Sequence, residues 1–475
     1  MERLRGVLPA PLPHSRGATT PLRSPGAPAR PEQVAEELRH LPGFAWLDGG
    51  GERDHRFFVQ PLAVLTARKG RAAVVGPAGR ITFSAGGFGL LEAAFAAWGG
   101  PAKAFLTGYL GYELCAELER FAPVSPADLE DDLKTPDLHL ALYVSCLRWD
   151  GRSWTLESTD AWPGMGDPVR EAERVLAAAR RREIPAPPES RLTSGPVVSR
   201  PSRPGFEAGV ERIVERIRTG EVYQVNLCRR LEAPLSPEDV WPLYQRLRAA
   251  SPATHGAFLD LGRSDSHRAL LSVSPELFLS VRDGVVETRP IKGTRPRGAT
   301  PREDRALARE LQESVKDQAE LTMIVDVARN DLGRVCETGT VEVVRHAELV
   351  TLPTLHHTVS TIRGKLRADE SLVALLRAAF PPASITGAPK IQAIVVAAAE
   401  EERRRGPAMG AVGWLSLGGD LELSVAIRTA VAARGRVTYH AGCGIVVDSD
   451  PELEFAESTV KARAFLSALG VPEVT

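Results

Sequence analysis

The stretch Ser274-Pro275-Glu276-Leu277-Phe278-Leu279-Ser280-Val281-Arg282-Asp283-Gly284-Val285-Val286-Glu287-Thr288-Arg289-Pro290-Ile291-Lys292-Gly293-Thr294 holds two apolar runs around one turn. Residues 277–281 and 285–291 read as strands, and Arg282-Asp283-Gly284 as the hairpin between them. A three-residue loop with Gly284 in the left-handed region pairs Val281 with Val285. Glu276 then lies opposite Pro290, and Lys292 is its diagonal neighbour on the same face, roughly 7–8 Å away. A two-residue loop puts the two side chains on opposite faces. A carboxyl and an amine held together in a cleft can act as general acid and nucleophile, provided burial lowers the lysine pKa. A strand-end ion pair is the alternative.

On both sides of this hairpin lie further chemical groups. Residues 206–218 have helical apolar spacing ended by Gly220, and residues 222–231 read as a strand. A long helix is expected over 302–327 and a last one over 451–469. Glu454 and Glu457 lie three apart on the last helix, with Lys461 one turn on. Asp317 and Glu320 have the same spacing on the long helix. Two such pairs from different helices suit one hard cation, and Mg²⁺ binds through one or two carboxylates plus a substrate anion. Glu310, Glu313, Asp317 and Glu320 also fit a merely solvated helix face. Ser384–Lys390 and Ala441–Gly444 are small-residue turns of the kind that cradle anions. Arg428 is placed to grip a carboxylate in bidentate fashion.

The whole chain has 475 residues, a hydrophobic fraction of 43% and a formal net charge of -1. That length suits two or three domains or one large composite, and the balanced charge argues against nucleic acid as a partner. No apolar run approaches the ~20 residues of a membrane span. Five scattered cysteines without a CxxC pair suggest neither a zinc site nor a disulfide framework, and fit buried thiols in a reducing cytoplasm. Residues 1–30 are rich in Arg, Pro and Ser; they read as a disordered tail rather than a transit peptide, because the prolines break any amphipathic helix. Residues 31–183 form an N-terminal, mostly β subdomain, 184–204 a Pro- and Ser-rich linker, and 205–475 the catalytic domain.

Together the motifs resemble those of the chorismate-utilising enzymes: anthranilate and aminodeoxychorismate synthase components I, isochorismate synthases and salicylate synthases. They run in order as TyrGlnValAsnLeu (223–227), SerProGlu (274–276), ProIleLysGlyThr (290–294), MetIleValAsp with ArgAsnAspLeuGlyArg (323–334), HisHisThrValSer (356–360), SerIleThrGlyAlaProLys (384–390), IleArgThr (427–429) and GlyIleValValAspSerAspProGluLeuGlu (444–454). A weaker match is GlyTyrLeuGlyTyrGlu at 108–113. The resemblance implies an α+β fold in which two antiparallel sheets pack face to face and are flanked by helices, with both halves of the chain contributing.

It also implies roles. Glu320 and Glu457 are the expected Mg²⁺ ligands, with Asp317 and Glu454 beside them. Glu276 matches the general acid that protonates the C4 hydroxyl of chorismate. Gly293, Thr294, His357, Ser384, Arg428, Gly442, Cys443, Gly444 and Lys461 match substrate contacts. Isochorismate and salicylate synthases carry a lysine at the place of Gln224 to activate water, and glutamine cannot serve as that base. Anthranilate synthases usually have alanine where this chain has Lys292. Aminodeoxychorismate synthases have lysine there, thought to attack C2 and expel the C4 hydroxyl before ammonia enters at C4. The resemblance therefore implies amination of chorismate toward 4-aminobenzoate and folate, with ammonia from a separate glutamine amidotransferase, whose motifs this chain lacks. Anthranilate synthesis and non-catalytic chorismate binding are the competing readings. Three positions depart from the family pattern: Cys443 replaces alanine, Ala408-Met409 stand where an aromatic is usual, and Leu47-Asp48-Gly49 replaces the LeuAspSer of the tryptophan pocket.

Overall fold

The computed structural model describes residues 4, 6–7, 17–22, 27–50, 54–100, 103–159, 167–188, 190–262, 268–352 and 355–471. Their strands form two twelve-stranded sheets in which every pairing is antiparallel. The first runs from Ala18–Pro21 at one edge, through Trp154–Ser158, Ser145–Trp149, His55–Phe58 and Ala45–Asp48, to His255–Asp260 and Ala269–Ser274. It continues with Thr429–Ala433, Arg436–Ile445 and Gln224–Pro234 to Val198–Arg200. The second sheet joins Leu355–Lys365, Val285–Arg289, Leu277–Arg282, Leu421–Val425 and Ala411–Ser416 to Phe105–Leu110, Leu138–Tyr143 and the hairpin strands Ala63–Arg68, Arg71–Gly76 and Gly79–Ser84.

The central strands are buried on both faces because each sheet is covered twice there, while edge strands such as Gly79–Ser84 and Glu342–Thr351 are largely exposed. Between the sheets lie Ala45, Phe58, Ala257, Leu259 and Leu270 from one and Phe105, Tyr109, Tyr143, Val412 and Trp414 from the other. The outer face of the first sheet packs under Pro31–Leu38, Pro168–Ala179, Val240–Ala250 and Pro451–Leu469. Gly87–Trp98, Val315–Gly333 and Leu372–Ala379 cover the second. The order is helix, sheet, sheet, helix, as the resemblance implied. Burial of this apolar area at about 25 cal/mol per Å² is the main favourable term in folding.

Two chain crossings between the sheets position the chemistry. Ala269–Ser274 belongs to the first sheet and Leu277–Arg282 to the second, so Pro275 and Glu276 form the bridge. Leu421–Val425 and Thr429–Ala433 make the reverse passage, with Arg428 at φ +49° in the turn. The bridges are stitched side by side: Val425 N–H donates to the Glu276 carbonyl at 3.0 Å, Val273 N–H to the Arg428 carbonyl at 3.1 Å, and the Ser274 hydroxyl to the Val425 carbonyl at 2.6 Å.

The hairpin loop differs from expectation. Arg282 pairs with Val285 and Val281 with Val286, so the loop is the two-residue Asp283-Gly284, both at positive φ (49° and 77°) as a type I′ turn requires. Yet Leu277 pairs with Arg289 while Ser280 pairs with Glu287, a β-bulge that inserts one residue in the first strand. The bulge restores the register expected beyond it. The long helix is in fact two, Pro301–Glu313 and Val315–Gly333. Ser314 breaks it by capping the second, its hydroxyl accepting from Asp317 N–H at 3.2 Å. This separates Glu310 and Glu313 from Asp317 and Glu320, so the acidic stripe is not one helix face. Gly442, Cys443 and Gly444 lie within the strand Arg436–Ile445, not in a turn.

The expected disordered tail lies mostly outside the described residues. Within it Ala18–Pro21 pair with Trp154–Ser158, on a sheet edge where proline costs no ladder bond. In the expected linker, Val198–Arg200 pair with Gln224–Pro234. Strands from 31–183 and from 205–475 enter both sheets, so that boundary does not divide the structure into two bodies.

Candidate active site

Glu276 is 3% exposed. Burial raises its carboxyl pKa to about 7, and the neighbouring Ser384 hydroxyl, Lys292 ammonium, Ile291 N–H and Arg428 guanidinium only partly oppose this. Half of this group is therefore protonated near neutrality, as a general acid requires. The buried Ser384 hydroxyl lies beside the carboxyl but is not seated in a fully formed hydrogen bond with any group. Lys292, on the strand Ile291–Pro296, shares this electrostatic neighbourhood, as the hairpin reading requires.

Lys292 Nζ stands 3.7 Å from Glu320 Oε2, the oxygen that also accepts from Gln224 Nε2 at 3.0 Å. Three separate elements converge here: the start of Gln224–Pro234, the strand after Pro290, and the helix Val315–Gly333. Two glycines make room for them. A Cβ on Gly444 would lie 2.4 Å from Gln224 Nε2 and 3.3 Å from Glu320 Oε2. Gly293, at φ +73°, occupies a second bulge, where Lys292 pairs with Thr358 and Thr294 with His357; a Cβ there would meet Leu311 Cδ1 at 2.7 Å.

The last helix brings a second acidic group to the same region. Glu457 Oε1 is 2.7 Å from Lys461 Nζ, which also donates to the Gly442 carbonyl at 2.9 Å. Burial raises the Glu457 carboxyl, but Lys461, Lys316 and Lys292 together bring it below its ordinary value, which ties Glu457 electrostatically to Lys292. Glu454 is buried; its Oε1 accepts from the Ser449 hydroxyl at 2.7 Å and faces Lys316 at 3.7 Å. Asp317 lies against Gly293, and its Oδ2 accepts from Arg295 Nη2 at 3.2 Å. Lys316, Ser449 and Arg295 escaped the sequence reading. Lys316 precedes Asp317 directly, but Ser449 and Arg295 reach Glu454 and Asp317 from 5 and 22 residues away, and nothing in their spacing marks them. Cys443 alternates with the two glycines and packs on the other side of its strand, with Val225, Leu227 and Phe455, its thiol donating to the Glu454 carbonyl at 3.3 Å. Cys443 Sγ and carboxylate oxygens of Glu454 and Glu457 lie within 4.8 Å of one another.

Two further groups complete the site. His357 Nδ1 is 2.9 Å from Thr294 Oγ1 and 3.3 Å from the Gly293 carbonyl, while its buried Nε2 has no partner. Burial, helped by Arg428, lowers its pKa to about 4, so the ring is neutral. Arg428 has no ion-pair partner among the described residues, and burial lowers its pKa. A half-buried guanidinium with no ion pair leaves a positive charge that an anion can meet. The arrangement is a cleft with a protonatable carboxyl, an amine, clustered carboxylates and an uncompensated guanidinium.

A family model described as chorismate binding enzyme matches residues 43–467. The chain belongs to the chorismate-binding enzyme family. Among curated relatives, the aminodeoxychorismate synthase of Streptomyces griseus is 39% identical over 89% of this chain and 60% of its own length. Aminodeoxychorismate synthase component 1 of Bacillus subtilis is 34% identical over 77% of both. Anthranilate synthase components 1 of Streptomyces coelicolor and Thermus thermophilus reach 36%, so overall identity does not separate the two activities. The solved anthranilate synthase component I of Streptococcus pneumoniae superposes with a TM-score of 0.72 at 28% identity, over 87% of this chain and 92% of its own. The chorismate-binding architecture accounts for the two packed sheets, and the α+β fold expected from the motifs is the one observed. Among the described residues no helix is long and apolar enough to cross a membrane.

Proposed function

We propose that this chain is the chorismate-aminating component I of an aminodeoxychorismate synthase, converting chorismate and ammonia to 4-amino-4-deoxychorismate. The observation that carries this reading is Lys292, an amine 3.7 Å from Glu320 and within the electrostatic reach of Glu276. Anthranilate synthesis, the activity named for several relatives, needs no amine at this position. Gln224 spends its N–H on Glu320 and cannot activate water.

In this scheme Arg428 grips a carboxylate of chorismate, and Gly293, Thr294, His357, Ser384, Gly442, Gly444 and Lys461 line its bed. Cys443 contributes backbone only. Glu276 donates its proton as the C4–O bond breaks, so the hydroxyl departs as water. Lys292, once it has given up a proton, attacks C2 with the same electron flow. Ammonia then adds at C4 and releases the lysine. The donor set fits Mg²⁺: Glu320, Glu457 and Glu454 offer only hard oxygens, each facing an ammonium, while the Cys443 thiol is held protonated by burial. Asp317, engaged by Arg295, is the least suited of the expected ligands. A Mg²⁺ bound there would neutralise the carboxylates that face Lys292 and stabilise charge developing at the breaking bond.

The name component 1 borne by several relatives supports a separate ammonia-supplying amidotransferase subunit. A non-catalytic homologue would have no reason to keep Glu276, Lys292, Glu320 and Glu457 together. The test is the product formed from chorismate, Mg²⁺ and ammonium. Wild type should yield the 4-amino product. Lys292→Ala should lose it or divert slowly to addition at C2, and Lys292→Arg should be as inactive, because guanidinium stays charged. Wild-type yield from Lys292→Ala would rule out a covalent lysine.

A further inference from the structure

Two motif residues have no part in the scheme above, and they meet each other. Asp331, from ArgAsnAspLeuGlyArg, accepts a 2.6 Å hydrogen bond from Lys390, the last residue of SerIleThrGlyAlaProLys. The other two donors of Lys390 reach the Ala379 carbonyl at 3.0 Å and the Pro381 carbonyl at 3.1 Å. All three ammonium protons are thus spent, on one helix and on the start of the loop that runs from Ala379 to Lys390 itself. That loop carries Ser384. Glu276, Ser384 and Asp331 line one narrow cavity, together with Thr288, Pro290 and Leu332. Apart from Thr288, Ser384 is the only hydroxyl among the described residues on its wall, and its Oγ lies beside the Glu276 carboxyl without a well-formed hydrogen bond to any group.

We propose that Lys390 and Asp331 are positioning residues for the general acid: they pin the 379–390 loop at both ends so that the Ser384 hydroxyl stays against the Glu276 carboxyl. The inference rests on the reading of Glu276 as the general acid only for its consequence in turnover. The clamp itself is a matter of geometry. Groups facing Glu276 from every packed element are Lys292 on the following strand, Arg428 on the neighbouring crossing, Ser384 on the loop, and Asp331 across the cavity. Of these, Ser384 alone hangs on the clamp. A hydroxyl held close against the carboxylate favours the charged form, so releasing the loop removes that support and raises the Glu276 pKa further above about 7. In turnover that keeps Glu276 protonated to higher pH and moves the alkaline limb of the pH–rate profile upward.

The experiment is a titration of Glu276 in the free enzyme, by infrared or carbon-13 signals assigned with Glu276→Gln. It is run on wild type, Ser384→Ala, Lys390→Met and the double variant. Lys390→Met should shift the titration upward, as Ser384→Ala does, and should shift it no further in the Ser384→Ala background. Lys390→Arg, which keeps the charge on Asp331, should restore most of the wild-type value. An unshifted Lys390→Met, or a shift fully additive with that of Ser384→Ala, would overturn the proposal. Should Lys390→Met not fold, Asp331→Asn takes its place in the same cycle with the same outcomes. No chorismate is present, so a failure of the proposed reaction would leave this result standing and be recognised separately.

Discussion

Two buried polar clusters in this molecule are built on opposite terms. The first surrounds Asp48, on the strand Ala45–Asp48. Its carboxylate takes Arg248 Nε at 2.5 Å, the Tyr244 hydroxyl at 3.3 Å and Gly50 N–H at 3.0 Å, and lies 3.2 Å from His55 Nδ1. Nearby Glu36 accepts from Trp241 at 2.6 Å and Gln245 at 3.0 Å. Burial pushes Asp48 up, but His55 and Arg248 outweigh it and hold the carboxyl well below the usual carboxylate range. The second cluster is the cleft around Glu276, whose carboxyl is raised and whose neighbour Arg428 has no carboxylate partner. Where polar groups satisfy one another the result is structure. Where they are left short of partners the deficit is available to a substrate.

The largest effect expected from this contrast is at Glu276. Glu276→Gln should lower kcat by about 10²–10⁴-fold, the usual worth of a positioned general acid. The same change should stabilise the fold at alkaline pH. The folded-state pKa of about 7 exceeds the ordinary value of 4.5, so the stability from this group is complete below 4.5 and is lost as pH rises through 7. Removing the charge recovers up to about 3 kcal/mol at pH 8. The gain should shrink steadily toward pH 5, as read from denaturant melts at each pH. A gain independent of pH would break the comparison.

Asp48→Asn should do the reverse. Arg248 keeps Glu32 at 2.9 Å, so the loss falls on the buried hydrogen bonds to Asp48 and costs about 1–3 kcal/mol of stability, with kcat near wild type at a temperature where the variant is folded. Because Asp48 is depressed, its contribution is present above its unfolded pKa and lost only as pH falls below about 4. Between pH 5 and 8 the Asp48 carboxyl itself should therefore add no slope, in contrast to Glu276. A kcat deficit would mean that this cluster serves the cleft after all.

The smallest effect is expected at Cys443. Cys443→Ala removes one atom that packs under the last helix, so stability should fall by about 1 kcal/mol and the KM for chorismate should stay within about twofold. A large rise in KM would show that the side chain, not the backbone, meets the substrate.

Some of this was readable from spacing. The helix Pro451–Leu469 has the bounds expected from the sequence, where its cap Asp450 and terminal Gly470 are local signals. The break at Ser314 was not readable, since residues 302–327 are good helix formers throughout and only one serine marks the change. The Ala441–Gly444 segment looked like a turn for its glycines, yet these serve a strand that must pass close beneath Gln224 and Cys228. Glu276 and Lys292 were placed together by a loop that is one residue too long, and the bulge that makes up the difference has no sequence mark.

By itself, the sequence determined the order of the motifs and most element types, because caps, turns and apolar periods act over a few residues. The tertiary structure alone decided which of these groups meet. Gln224 and Glu320, 96 positions apart, and Lys292 and Glu320, 28 apart, are closed by hydrogen bond and ion pair only after both sheets have formed. Pairing of distant strands is set by the packing of two faces against each other, and a single inserted residue turns a side chain from one face to the other.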